Sequence, residues 1–293
     1  MDKPPTITDL NKRGNKRRAT VKEAQKGLIK KSGILQRTLN AYVINELIQS
    51  LDKDKDNNLK NTSENLKKIN KAAKLKRLIK NVINAALYDY YIKEFSKITT
   101  QTINYFSPFE PTPQAVERIE GRGDTITAGF LDELFDNNQI SRSIQQTITK
   151  GITSNQNVTD IKSVLTDQIK GKNDKLGLLQ SYHYQNGFNE LQAQARALDN
   201  EFSKALGLNY AIYQGGEKTT TRDFCSNRVG GVYTREEILQ WNHTPATWSG
   251  RMENNDILID LGGWNCGHKL GWITYELAKR MNPAIEKSKY DND

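Results

Sequence analysis

The 293-residue chain contains no apolar run of about 18 residues, so no membrane-spanning helix is expected. The opening Met1-Asp2-Lys3-Pro4-Pro5 leads into no apolar segment, and a secretory leader is not expected either. Cysteine is scarce: two residues are too few for a disulfide scaffold, which suits synthesis in a reducing cytoplasm. Proline is confined to seven positions, Pro4, Pro5, Pro108, Pro111, Pro113, Pro245 and Pro283. Residues 6–107 and 114–244 are therefore proline-free, as long helices require. Hydrophobic residues make up only 36% of the chain against 26% charged, which predicts an elongated shape or surfaces buried by partners. No internal repeat is visible.

What is present is unevenly placed. Residues 1–110 hold 23 Lys and Arg against 11 Asp and Glu, a net of +12. The remaining 183 residues hold 20 against 23, a net of −3, and the two add up to the overall +9. The excess is densest in residues 1–37, with 11 basic against 3 acidic side chains. Such a segment attracts polyanions by counterion release, without sequence specificity. Lys12, Arg13, Lys16, Arg17, Arg18, Lys30 and Lys31 are the candidate nucleic-acid contacts. No aromatic is interleaved among the first charges, so base stacking is not expected of them.

Periodicity divides the chain further. Residues 1–19 read as a disordered basic arm. Thr20-Val21-Lys22-Glu23 has the capping-box pattern and predicts a helix from there to about Leu51, with Leu28, Leu35, Leu39, Val43 and Leu47 as its apolar stripe. A second helix, starting near Thr62 or Ser63, carries Leu66, Ile69, Ala73, Ile79, Val82, Ala86, Tyr90 and Ile98 and would reach Tyr105. Residues 20–107 thus predict a long helical hairpin, with Lys67, Lys68, Lys71, Lys74, Lys76, Arg77 and Lys80 on its second arm. The cluster Pro108 to Pro113 is a break.

Residues 114–206 read as a helical body. Phe130 to Phe135, Ile140 to Ile152 and Val158 to Ile169 carry helical spacing, the last with Asn157 or Thr159 as cap. Tyr184, Phe188, Leu191, Ala195, Leu198, Phe202 and Ala205 step by 4, 3, 4, 3, 4, 3, a seam that predicts a helix packed on one face and ended by Gly207. His183 beside it reads as a partly exposed helix residue. Asn209 to Gln214 alternates and is rich in aromatic and β-branched residues, which predicts a strand. Residues 207–280 are then a turn-rich α+β module, and 281–293 a tail. The fold class is α+β: a mostly helical N-terminal body with long helices, followed by a small C-terminal module.

That module holds both cysteines, all four tryptophans and two of the three histidines. Cys266 and His268, two apart around Gly267, can direct a thiolate and an imidazole to one point. With Cys225 they form a candidate zinc site, for which His243 or Asp223 would be the fourth ligand; a small Gly-rich module gains folding energy from such an ion. A Cys225–Cys266 disulfide and a pair of buried free thiols are the alternatives. A Cys225 nucleophile activated by His268 or His243 lacks an orienting third group in the sequence. Trp241, Trp248, Trp264 and Trp272 are the expected core of the module. Arg222 is expected to pair with Asp223 or to fork onto backbone carbonyls.

The elements Thr221-Arg222-Asp223-Phe224-Cys225, Gly230-Gly231-Val232-Tyr233-Thr234-Arg235-Glu236-Glu237-Ile238, Trp248-Ser249-Gly250 and Gly262-Gly263-Trp264-Asn265-Cys266-Gly267-His268 resemble the C-terminal part of phage minor head proteins, the head-morphogenesis family typified by protein F of phage Mu. The resemblance spans residues 155–275 and is specific over about 50 residues from Thr221. Gly267 stands where the family usually has Arg, and a second cysteine of a Cys-x-x-Cys pair is missing. The resemblance implies a protein carried at low copy in the capsid of a tailed phage and associated with the portal vertex; the expected partners are portal and capsid proteins and packaged DNA, with multiple copies in a larger assembly. It implies a role in head assembly or in DNA packaging and ejection. The alternative is an ejected nuclease or Cys-dependent hydrolase using Cys225 and His268.

Overall fold

The computed structural model describes residues 5–135, 138–243, 248–251 and 256–292. In chain order the elements are α1 (Ile7–Tyr42), α2 (Ser63–Asn70), α3 (Ala73–Leu78), α4 (Ala85–Phe106), α5 (Pro113–Phe135), α6 (Gln139–Thr153), α7 (Val158–Lys170) and α8 (Leu178–Ala205). Then follow β1 (Tyr210–Gln214), α9 (Asp223–Ser226), β2 (Val232–Thr234), α10 (Arg235–Gln240), α11 (Ile257–Asp260), β3 (Lys269–Ile273) and α12 (Tyr275–Met281). The fold is α+β and mostly helical, with long helices and a small antiparallel sheet near the C-terminus.

The chain forms two compact units that do not follow the segments expected from sequence. One comprises residues 1–23, 93–130 and 188–293, the other residues 24–92 and 131–187, so α1, α4, α5 and α8 each contribute residues to both.

Residues 7–19 are not a disordered arm; they open α1. The true cap lies fourteen residues before Thr20. The Thr6 hydroxyl accepts the Asp9 amide at 3.1 Å, and the Asp9 carboxylate accepts the Thr6 amide at 3.3 Å. Thr20 sits inside the helix, its hydroxyl donating to the Lys16 carbonyl at 3.2 Å. The helix is held because Leu10, Gly14, Arg17, Val21, Ala24 and Leu28, stepping by 4, 3, 4, 3, 4, are all buried. Glycine and arginine in that row hide it from a hydrophobicity pattern.

In the unit of residues 24–92 and 131–187, the helix expected from Thr62 to Tyr105 is divided. Thr62 caps α2 by accepting the Asn65 amide, and the helix breaks at Lys71–Ala72 before α3. A π-helical stretch, Ile79–Asn84, joins α3 to α4. Leu75, Ile79, Ile83, Leu87 and Tyr91 are buried at successive steps of four. A 3.6-residue turn cannot keep such a row on one face, and the wider π turn restores it. The same holds for Leu39, Val43 and Leu47, where α1 passes into the π-helical Val43–Leu47. The loop 52–61 is pinned by the buried Asn65, whose side chain accepts the Asp52 amide (2.8 Å) and donates to the Asp52 and Lys60 carbonyls. As expected, Asn157 caps α7. His183, by contrast, is 1% exposed rather than partly exposed. It lies among Tyr91, Phe135 and Tyr182, with Nδ1 3.2 Å from the Tyr91 hydroxyl.

In the unit of residues 1–23, 93–130 and 188–293, the sheet has the order β2-β1-β3, antiparallel throughout, with Tyr210 opposite Thr234 on one side and Ile273 on the other. The α8 residues of this unit carry the expected seam: Leu191, Ala195, Leu198 and Phe202 are buried. The other face is buried too, which corrects the expectation of one packed face. Gln192, Gln194, Arg196, Asp199, Asn200 and Ser203 all lie inside. Each polar group reaches a different element: Gln194 donates to Thr99 of α4 and Thr127 of α5, and Asp199 accepts from Arg17 of α1. Gly207 ends the helix at φ 62°, and the Leu208 amide closes onto the Ser203 carbonyl at 2.8 Å. Thr234 and Glu237 form a reciprocal cap on α10. The last residues are docked rather than a free tail. The Ser288 amide donates to the Tyr210 hydroxyl at 2.6 Å, and its own hydroxyl to Glu236 at 2.7 Å.

Candidate functional site

The motif residues converge in the C-terminal part of the unit that holds the sheet. Cys225 lies in the single turn of α9, which Arg222 precedes. Arg222 forks onto backbone, donating to the Gly262 carbonyl at 3.3 Å and the Trp264 carbonyl at 2.6 Å, and does not pair with Asp223. Trp248 adds a third bond to this loop through Nε1 and the Gly262 carbonyl, 3.1 Å, while its ring stacks on Phe224 at 4.2 Å. The loop turns at Gly263 (φ 82°) and Asn265 (φ 59°) before Cys266, and His268 leads into β3.

The ligand atoms of Cys225, Cys266 and His268 all lie within 4.8 Å of one another, and all three residues are buried. The sulfurs are free thiols 3.8 Å apart, so no disulfide joins them. Cys266 Sγ is 3.7 Å from His268 Nδ1. Tetrahedral zinc with bonds of about 2.3 Å to sulfur and about 2.0 Å to nitrogen spans edges of about 3.8 Å and 3.6 Å, which the Cys225–Cys266 and Cys266–His268 separations match. Gly262 lies against the pair. A Cβ there would come within 2.4 Å of Cys225 Sγ and 3.1 Å of Cys266 Sγ, so only glycine admits both sulfurs. The two other ligand candidates are not in the cluster: Asp223 and His243 are exposed on the surface.

The surroundings favour one thiolate. The Cys225 thiol donates toward Cys266, and with the nearby Arg196 guanidinium and His268 this holds the Cys266 thiol well below the usual range against the cost of burial. Cys225, the donor of the pair, is pushed up. The Tyr213 hydroxyl donates to Cys225 Sγ at 3.3 Å, and its ring stacks on His268 with centroids 5.4 Å apart. His268 Nε2 is buried without a hydrogen-bond partner.

Sequence reasoning missed the residue that organises this loop. Arg196 of α8 is buried and donates to the carbonyls of His268 (3.0 and 2.8 Å), Ile259 (2.8 Å) and Cys266. Its one signal was a charged side chain directly after Ala195 of the seam. Of the tryptophans, Trp272 and Trp241 are core, Trp248 is half-buried and Trp264 is exposed, so the four do not form the module's core alone. Aromatic and aliphatic neighbours such as Tyr213, Phe224, Ile212 and Ile273 complete it.

The seven basic residues nominated for nucleic acid lie on α1. Arg17 is removed from that set: it is buried and bidentate to Asp199, under the Tyr105 ring. Arg13 donates to the Asn104 carbonyl at 2.6 Å and to Ser107, and Arg18 to Asn15. Lys31 rests over the Tyr90 ring at 5.6 Å. Lys12, Lys16 and Lys30 are exposed.

Comparison of the chain with protein-family models, curated proteins and solved structures returns no match. No helix among the described residues is long and apolar enough to cross a membrane.

Proposed function

We propose that the chain is a minor head protein of a tailed bacteriophage, held at the portal vertex inside the capsid, and that it acts by assembly rather than by catalysis. The observation that supports this is the construction of the motif residues into a closed knot. Arg222, Cys225, Trp248, Gly262, Cys266 and His268, which carry the resemblance, hold one another and the backbone of one loop. A nucleophile must reach its substrate, and Cys225 is 2% exposed with its thiol pushed up. The knot instead resembles a staple for a small module.

In this reading Cys225, Cys266 and His268 hold zinc, which supplies a cross-link between α9, the Gly262 loop and the start of β3. The donor set of two sulfurs and one imidazole suits zinc, and the Gly262 cradle keeps both thiols side by side. Arg196 orients the loop from behind. Exposed Lys12, Lys16 and Lys30 contribute contact with packaged DNA.

The test is composition and activity together. The chain is expected in purified heads of the phage that encodes it, co-purifying with the portal protein, with about one zinc per chain that survives reductant. Absence from particles overturns the assembly role. So does a hydrolytic activity lost in Cys225→Ser while the circular dichroism spectrum stays unchanged.

A further inference from the structure

Between Lys67 and Lys80 the chain carries seven basic residues and no acidic one, in a stretch of 14. We infer that this stretch, α2, the Lys71–Ala72 break and α3 with the first residues of the π-helical segment, is a binding surface for the phosphate backbone of duplex nucleic acid. It is separate from the basic residues at the start of α1.

Availability of charge is the first reason. Lys67, Lys71, Lys76, Arg77 and Lys80 are exposed, and their side chains take no hydrogen bond or ion pair among the described residues. Lys68 and Lys74 are partly engaged, Lys68 with Asp52 at 3.3 Å and Lys74 with Glu46 at 2.5 Å. At the start of α1 the charge is more committed: Arg17 is buried, and Arg13 and Arg18 are bonded within the protein.

Geometry is the second. Lys67 and Lys71 are four apart at the C-terminal end of α2, and Lys76 and Lys80 four apart where α3 passes into the π-helical stretch, with Arg77 beside the latter pair. The break at Lys71–Ala72 opens a cleft of about 490 Å³. It is lined by Lys67, Lys68, Lys71 and Lys74, with Glu64 and Tyr42. Lys68 and Lys74 have carboxylate partners in Asp52 and Glu46, which leaves Lys67 and Lys71 as the unpaired cations of the cleft, beside Glu64.

Composition decides the partner. The exposed positions among and beside these cations are Asn70, Ala73 and Asn81, with Val82 the large apolar side chain exposed at the edge. A membrane surface is gripped by inserted aromatic and aliphatic groups, and single strands by stacked aromatics. No aromatic residue occurs between Lys67 and Lys80. Point cations alone recognise a regular array of phosphates.

The inference does not depend on the portal reading, since it concerns binding by the purified full chain. Retention of a random-sequence 30-base-pair duplex is measured against salt. Five unpartnered cations predict a slope of about −4 to −5 in log K against log salt. The variant Lys71→Gln/Lys76→Gln/Arg77→Gln/Lys80→Gln is expected to flatten that slope by about 3 to 4. Replacement of the three lysines by arginine is expected to preserve it. The variant Lys12→Gln/Lys16→Gln/Lys30→Gln is expected to change it by less. Three outcomes overturn the inference: no duplex retention by the unaltered chain, loss confined to the α1 variant, or retention only on phosphatidylserine vesicles.

Discussion

Arg196 and His268 meet side chain to backbone: the guanidinium on α8 donates twice to the carbonyl of the histidine, at 3.0 and 2.8 Å. The cation thus sets the path of the strand entry that carries His268. Arg196→Met strands the carbonyls of Ile259, Cys266 and His268 inside the unit. The expected cost is about 3 kcal/mol, read by urea unfolding. Arg196→Lys should recover only part, because one ammonium cannot reproduce the fork. A loss below about 0.5 kcal/mol in Arg196→Met contradicts this role.

Gly262→Ala places a methyl group where the two sulfurs lie, and Gly267→Ala meets nothing within 4 Å. The first substitution is expected to lower bound zinc from about one per chain to well under half, and the second to leave it near one. Elemental analysis of both variants checks this. Equal zinc in the two would mean that the sulfurs are not held against Gly262.

Arg17 and Asp199 are a buried, bidentate pair with Lys269 close by. Removing one charge leaves the other unpaired, so Arg17→Met and Asp199→Leu are each expected to cost about 3 to 5 kcal/mol. The double variant should regain most of that loss, since two apolar side chains of similar volume fill the site. Chemical denaturation of the four proteins of the cycle gives the coupling directly. Additive losses would show that the pair is not the source of the cost.

These residues also mark where the sequence was legible. The long helices, the strand Tyr210–Gln214, the caps Thr62 and Asn157 and the stop at Gly207 follow from local rules, and local rules suffice for them. The start of α1 did not follow, because its buried row includes Gly14 and Arg17, which look like surface until Asp199 is known to face them. The burial of both faces of α8 around residues 191–203 was hidden for the same reason: Gln194, Arg196 and Asp199 have partners 63 to 182 residues away in sequence. The Cys225, Cys266 and His268 grouping was legible from residue type and spacing. The clamp behind it was not, since an arginine bonding only to carbonyls leaves no motif. His183 looked like surface because Tyr184 beside it is surface.

His183 gives a stability that depends on pH. Burial pulls its pKa down to about 3, while the unfolded chain titrates near 6.5. Between those values the unfolded state binds a proton that the folded state does not, so stability rises with pH across the window and falls as acid is added below about 6.5. By pH 5 the contribution lost is about 2 kcal/mol. His183→Gln should show a shallower fall from pH 7 to pH 5 in thermal or urea unfolding. Parallel profiles for the two proteins would refute a neutral buried histidine.

The Lys269 ammonium donates to the Gly14 carbonyl at 2.7 Å, across 255 positions of sequence. A ribosome adding roughly 5 to 20 residues per second needs about 13 to 50 s to make the second partner after the first. Through that interval Leu10, Arg17 and the rest of the first helix have emerged while Asp199 and the sheet that cover them are still unmade. The nascent chain therefore carries the buried row at the start of α1 without the partner of Arg17 and without the sheet until late in its synthesis.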